Sequence, residues 1–327
     1  MRFRPADIIK LILSILVSGL LIYFLLSKID TAKFAGILVS SDKLLLLLGL
    51  ALYFSMLLFR SLRFKILLGH KISLRSLIPI VFVYNALNYV LPFKLGELSF
   101  GVLIKKTHLK SFGLGFTAVL VSRIFEVFLL LVLLFIGMLL NLNTGFGSKI
   151  SILIPFVAVF MLGLTAGFLA LVFFPAILVK IADFVFNQVP IKNPLLKKLS
   201  KKINEFILIF EKYRSKRLLL DTFYVSLAAS ACGFLTTFFM VRSFGYNIPL
   251  NILLVAITFS VLSGLIPVNG IAGFGTYESF WVLAFLYFGY TMESAVIISL
   301  GIHIIQLVFA VFLGSIGWVA ISRENSK

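Results

Sequence analysis

Several charged side chains stand where a membrane would otherwise hold only hydrocarbon. Arg123 and Glu126 lie three residues apart in VSRIFEVFLL, on one face of a helix. Lys94 and Glu97 lie in NYVLPFKLGELSF, the centre of another apolar run. Glu278 closes a stretch, IPVNGIAGFGTYESF, that also carries a proline and three glycines. An unpaired arginine at mid-bilayer costs at least about 2.5–3.5 kcal/mol on insertion scales. Arg123 therefore needs Glu126, either as a structural ion pair that fixes helix packing or as part of a site that meets a charged headgroup. Lys94 has two readings too: it joins that site, or it snorkels to the cytoplasmic interface. Glu97 follows Gly96, where the backbone turns freely. A half-helix starting there aims unpaired amides and a partly positive end at its surroundings. Glu97 either caps those amides or pairs with Arg123.

In the other stretch, Asn269, Gly270, Gly273 and Gly275 make a tight turn. Its amides form a nest for an anion such as a lipid phosphate, or its glycines let two half-helices pack closely. No Gly-Lys-Ser/Thr follows and no strand precedes, so the turn is neither a nucleotide phosphate loop nor a dinucleotide fingerprint. Glu278 opens the second half-helix, where the dipole favours a carboxylate; that structural role accounts for it alone. His70 and His108 lie in basic loops, and His303 stands alone on the last apolar segment, as a satisfied buried histidine does. There is no metal-binding motif, no nucleophile–base arrangement and no cofactor signature, so no catalytic residue, metal or cofactor is expected. Cys232 is the single cysteine. It excludes an internal disulfide and reads as a small buried apolar residue.

The elements that must position these residues are membrane helices. Of 327 residues 61% are hydrophobic and 13% charged, and the mean hydropathy is +1.13. A soluble domain is about one quarter charged. Residues 11–27 read as a first membrane helix: the segment is long for a signal core, and no small-residue cleavage site follows. The net charge of +18 gathers in residues 1–10, 60–75, 105–110, 180–217 and 323–327. The positive-inside rule places these in the cytoplasm, with both termini, so the charge records orientation rather than nucleic-acid binding. Segments 11–27, 111–140 and 218–241 then run outward, and 44–59, 150–179 and 294–322 return. Lys28, Lys33, Lys43, Lys149 and Arg242 are left outside, and Lys94 and Arg123 at membrane depth.

Two apolar segments do not change sides. Residues 77–104 leave from and return to the cytoplasm, and 251–290 do the same from outside. Each reads as a re-entrant hairpin broken near Pro92 and Gly96 or near Pro267. Proline removes a backbone donor, and lipid cannot satisfy the freed groups, so each break is buried in protein or lines a wet cavity. The fold class expected is an all-α polytopic membrane protein. It has six spanning helices and two re-entrant helical hairpins in an inverted repeat, residues 1–140 against 150–322. Residues 141–149 form an extracellular loop and 323–327 a cytoplasmic tail. Interrupted helices in corresponding places of two halves point to a transport site at the midplane. The cytoplasmic loop 180–217 carries an amphipathic helix with Lys197, Lys198, Lys201 and Lys202 on one side. It is a connector held inside by its charge, or a surface that gathers anionic lipid.

The run from Asn88 through Pro92, Gly96 and Glu97, then Ser122 to Glu126, then Pro267 through Gly270, Gly273, Gly275 and Glu278, resembles the flippase-like family. That family includes the membrane domain of lysylphosphatidylglycerol synthase, the multiple peptide resistance factor. The resemblance covers roughly residues 8–322. One departure is that Ser99, Phe100 and Gly101 stand where the family often has arginine. No soluble aminoacyl-transfer domain follows here, so the resemblance implies lipid translocation without lipid synthesis. The expectation is a flippase in a prokaryotic cytoplasmic membrane, carrying an anionic phospholipid or another charged-headgroup lipid. A flippase for a polyprenyl-phosphate-linked sugar, a membrane-embedded lipid-modifying enzyme and a lipid-binding scaffold are the alternatives. The oligomeric state stays open, a homo-oligomer included.

Overall fold

The computed structural model describes residues 30–69, 72–91, 95–108, 112–145, 147–188, 207–208, 210–265 and 271–324, and singly residues 23, 27 and 204. Eleven α-helices occur among them and no strand: α1 Thr31–Ser40, α2 Lys43–Leu67, α3 Leu74–Val90, α4 Leu95–His108, α5 Phe112–Leu140, α6 Gly147–Phe173, α7 Pro175–Gln188, α8 Lys216–Ser243, α9 Leu250–Leu262, α10 Thr276–Tyr287 and α11 Met292–Glu324. Five of them (α2, α5, α6, α8 and α11) are long and apolar enough to cross a membrane. Short polar side chains set several starts. Asp30 accepts from Ala32 N at 2.8 Å ahead of α1, and Asp42 accepts from Leu44 N at 2.9 Å ahead of α2. Ser73 caps α3 through Ser76 N.

Glycines set how the helices meet. The long helices α2 and α8 pack antiparallel, and Asp42 N donates to Ser243 O where the start of one meets the end of the other. A Cβ on Gly49 would stand 3.3 Å from Met240 Cγ, and one on Gly233 would stand 3.1 Å from Met56 Sδ. Each helix thus carries a glycine and, two turns later, a methionine that fills the groove over the partner's glycine. The outer contacts also match. Helix α5 lays Gly137 against Leu254 and Val255 of α9, and α11 lays Gly317 against Pro79, Phe82 and Val83 of α3. Helix α3 folds back on α4, which packs on α5; α9 folds back on α10, which packs on α11.

Four apolar clusters result among the described residues, two of them large. One gathers Phe64, Tyr84 and Phe100, with Phe64 stacked on Phe100 at 4.0 Å. The other gathers Trp281, Phe285 and Val296. Large side chains such as Phe156, Val159 and Leu162 on α6 and Val308 and Phe312 on α11 point outward, exposed to what would be lipid.

Several expectations need correcting. Residues 28–43 contain a helix, α1, signalled by its Asp30 cap. Lys33 on it pairs with Glu293 at 2.7 Å, which raises the lysine's pKa and ties α1 to the start of α11. The segment 150–179 is not continuous: it stops at Phe174, because Pro175 has no amide to give the preceding turn and starts α7 instead. Gly96 is not a free pivot, since its φ is not positive. It is needed because a Cβ there would stand 2.6 Å from Asn88 N and Leu87 O, where α4 turns back against α3. Most of residues 11–27, Pro92, Lys94, Pro267, Asn269, Gly270, Lys197, Lys198, Lys201 and Lys202 lie outside the described residues.

A charged cavity between the helices

Between α2, α3, α5, α8, α9 and α11 lies a cavity of about 520 Å³. The ends of both helical hairpins reach it, through Glu97 on α4 and Tyr277 on α10. Its charged wall is built on Glu126. The carboxylate meets Arg63 Nη2 at 2.5 Å, Arg123 Nη1 at 2.8 Å and Arg60 Nε at 3.5 Å. Arg123 Nε also lies 3.0 Å from Glu97 Oε1. Three arginines therefore face two carboxylates, a net positive cluster in surroundings of low dielectric, where each charge acts strongly. Arg63 is 1% exposed and works as the buried anchor, its other nitrogen 3.4 Å from Ser226 Oγ. Arg60 and Arg123 line the cavity. Arg60 is held by Asn85 Oδ1 at 3.2 Å, and Asn85 in turn donates to Tyr53 Oη at 2.7 Å.

A second acid–base pair reaches the cavity through His303. Glu278 is fully buried, and its Oε1 lies 2.5 Å from His303 Nδ1 on α11. Its Oε2 accepts from Gly275 N at 2.7 Å and so caps α10. Phe274 stacks on the imidazole at 4.4 Å between ring centres, and Tyr277 meets it edge-on. The backbone before this helix is left-handed at Ala272 (φ 54°), Gly273 (φ 76°) and Gly275 (φ 87°). One turn beyond His303, Gln306 accepts from Tyr89 Oη at 3.0 Å.

The structure brings together Glu97, Arg123 and Glu126, and it settles that Glu97 pairs with Arg123. Gly273 lines the cavity. Glu278 does cap its half-helix. The nest reading fails at Gly275, whose amide is already taken by Glu278. Arg60 and Arg63 were assigned to a cytoplasmic loop; they belong to the buried cluster. Their spacing of one turn at the end of an apolar run was the available signal. His303 is not alone, since Glu278, 25 residues earlier on the neighbouring helix α10, is its partner. Asn85 and Gln306 had no signal beyond being polar in apolar runs.

Helices of this length and apolarity, packed around a charged interior cavity, define a polytopic helical membrane protein. More narrowly, the chain belongs to the family of lysylphosphatidylglycerol synthase transmembrane regions, whose profile matches residues 11–314. Comparison with curated proteins and with solved structures gave no match.

Proposed function

We propose that this protein is a lipid transporter, not an enzyme. It moves a lipid with a phosphate-bearing headgroup across the cytoplasmic membrane of a prokaryote, with both chain termini in the cytoplasm. The observation that carries this reading is the arginine excess. Arg60 and Arg123 line a cavity large enough for a headgroup, while Arg63 and the two glutamates hold them in place. A planar guanidinium forks onto phosphate oxygens better than any other side chain. Family membership supports a lipid-related role.

The architecture proposed is six spans and two re-entrant hairpins, α3–α4 and α9–α10, in an inverted repeat. The matched contacts support it. Gly49 with Met240 repeats as Gly233 with Met56, and Gly137 on α9 repeats as Gly317 on α3. The pair Glu97–Arg123 between α4 and α5 repeats as Glu278–His303 between α10 and α11. Rocking of one repeat against the other would open the cavity to each side in turn, with the acyl tails left in lipid.

A second reading is a polyprenyl-phosphate-linked sugar as cargo. The neutral amides of Asn85, Asn88 and Gln306 in the same cavity suit hydroxyl groups. Mass spectrometry of lipid retained by the purified protein separates the two. A phospholipid supports the first, a lipid-linked sugar the second, and recovery of chemically altered lipid would overturn transport without chemistry.

A further inference from the structure

Two acid–base pairs reach the cavity, Glu97–Arg123 and, through His303, Glu278–His303, and they differ in one respect. Arginine keeps its proton under all ordinary conditions, so Arg123 has no proton to exchange with the cavity. Histidine exchanges a proton within the physiological range. We propose that Glu278–His303 is a proton-binding site, and that one proton taken up there travels with each anionic headgroup bound at the arginine wall. This rests on the transport reading above.

The geometry carries the assignment. With Glu278 ionised, its carboxylate only accepts, so the hydrogen bond between Nδ1 and Glu278 Oε1 needs a proton on Nδ1. With that proton alone the imidazole is neutral and the pair bears one net negative charge. A second proton, taken up at Nε2, makes an imidazolium–carboxylate pair with no net charge. His303 lines the cavity, which gives the proton a path. The charged state is costly in a closed, dry site and tolerable in a wet, open one.

The same carboxylate holds the hairpin. Glu278 Oε2 grips Gly275 N at the start of α10, directly after the left-handed residues Ala272 and Gly273. Proton occupancy therefore acts on the hairpin tip that would move in alternating access. Among the described residues, few groups face the pair from neighbouring elements. Tyr277 comes from α10, Tyr89 from α3 and the neutral Gln306 from α11 itself, while α9 offers only hydroxyls such as Ser260. The charges Arg60, Glu97, Arg123 and Glu126 line the same cavity from α2, α4 and α5. An anion balanced by one proton moves without net charge, so such a carrier follows a pH gradient.

The full chain is placed in vesicles of phosphatidylcholine and phosphatidylglycerol, with fluorescent phosphatidylglycerol as the probe and a pH dye inside. A pH gradient should shift the probe between leaflets by up to about tenfold per pH unit, the free-energy equivalent of one pKa unit. Reversing the gradient should reverse the shift, and the dye should report proton movement. His303→Gln should remove both responses. In protein with 15N-labelled histidine, the His303 signal should report proton uptake at Nε2 as the pH is lowered. Flipping by the unaltered chain that ignores the gradient would overturn the coupling and leave the transport reading intact. A His303 signal that stays constant would overturn the site. A changing His303 signal without flipping of any lipid would support the site and sink the transport reading instead.

Discussion

Glu126 is the residue on which the charged wall depends, because Arg60, Arg63 and Arg123 all converge on it. Replacing it with alanine leaves the guanidinium of Arg63 buried without a counter-charge. Removing one partner of a buried pair typically costs about 3–5 kcal/mol. Glu126→Ala should therefore lower the melting temperature in detergent sharply. Arg123→Ala should not, since Glu126 keeps Arg60 and Arg63; it should impair lipid movement instead. Equal melting losses in the two variants would show that Arg123 is as structural as Arg63. The reversed pair, Arg123→Glu with Glu126→Arg, should fail to fold, because an arginine at 126 would face Arg60 and Arg63. From sequence alone that reversal should keep the fold and cost only transport, since the spacing shows a two-member pair. The third and fourth members come from another helix, at the end of an apolar run where basic residues usually mark a cytoplasmic loop.

At the scale of elements, the hairpins depend on glycines for different reasons. Gly96 sits where α4 presses on Asn88 and Leu87, so even a methyl group has no room. Gly96→Ala should destabilise the protein by roughly 1–3 kcal/mol, as overpacking does, and a melt in detergent measures it. Gly273 has space around it, with only His303 Cε1 near, at 3.8 Å from an added Cβ. Its burden is conformational: φ is 76°, and a side chain in that region costs roughly 1–2 kcal/mol. Gly273→Val should leave a folded protein that moves lipid poorly; normal lipid movement would show that the tip is no gate. The helices themselves were largely legible, because charge-free runs and Pro/Gly breaks mark them directly. Helix α1, short and largely exposed, was marked only by its Asp30 cap, and the stop at Phe174 only by Pro175 in a run apolar on both sides. What the sequence hides altogether is which helices meet, since Gly137 and Gly317 look like any glycine in a membrane segment.

For the whole molecule, the contacts Gly49–Met240 and Gly233–Met56 match, as do those of Gly137 on α9 and Gly317 on α3, and the proposed inverted repeat accounts for them. Topology follows from it. With Cys232 replaced, a cysteine in loop 141–145 should be labelled from outside, and one near Asp183 on α7 from the cytoplasm. Labelling of both from the same side would break the inverted arrangement. Transport through the cavity is tested most directly by purified protein in vesicles with a fluorescent phosphatidylglycerol probe and equal pH on both sides. The unaltered chain should equilibrate the probe between leaflets well ahead of protein-free vesicles. Arg123→Ala should slow it at least about tenfold, which is about 1.4 kcal/mol of lost stabilisation, without a matching loss in the melt. Flipping by Arg123→Ala at the unaltered rate, or no flipping by the unaltered chain, would contradict a headgroup path past the arginine wall.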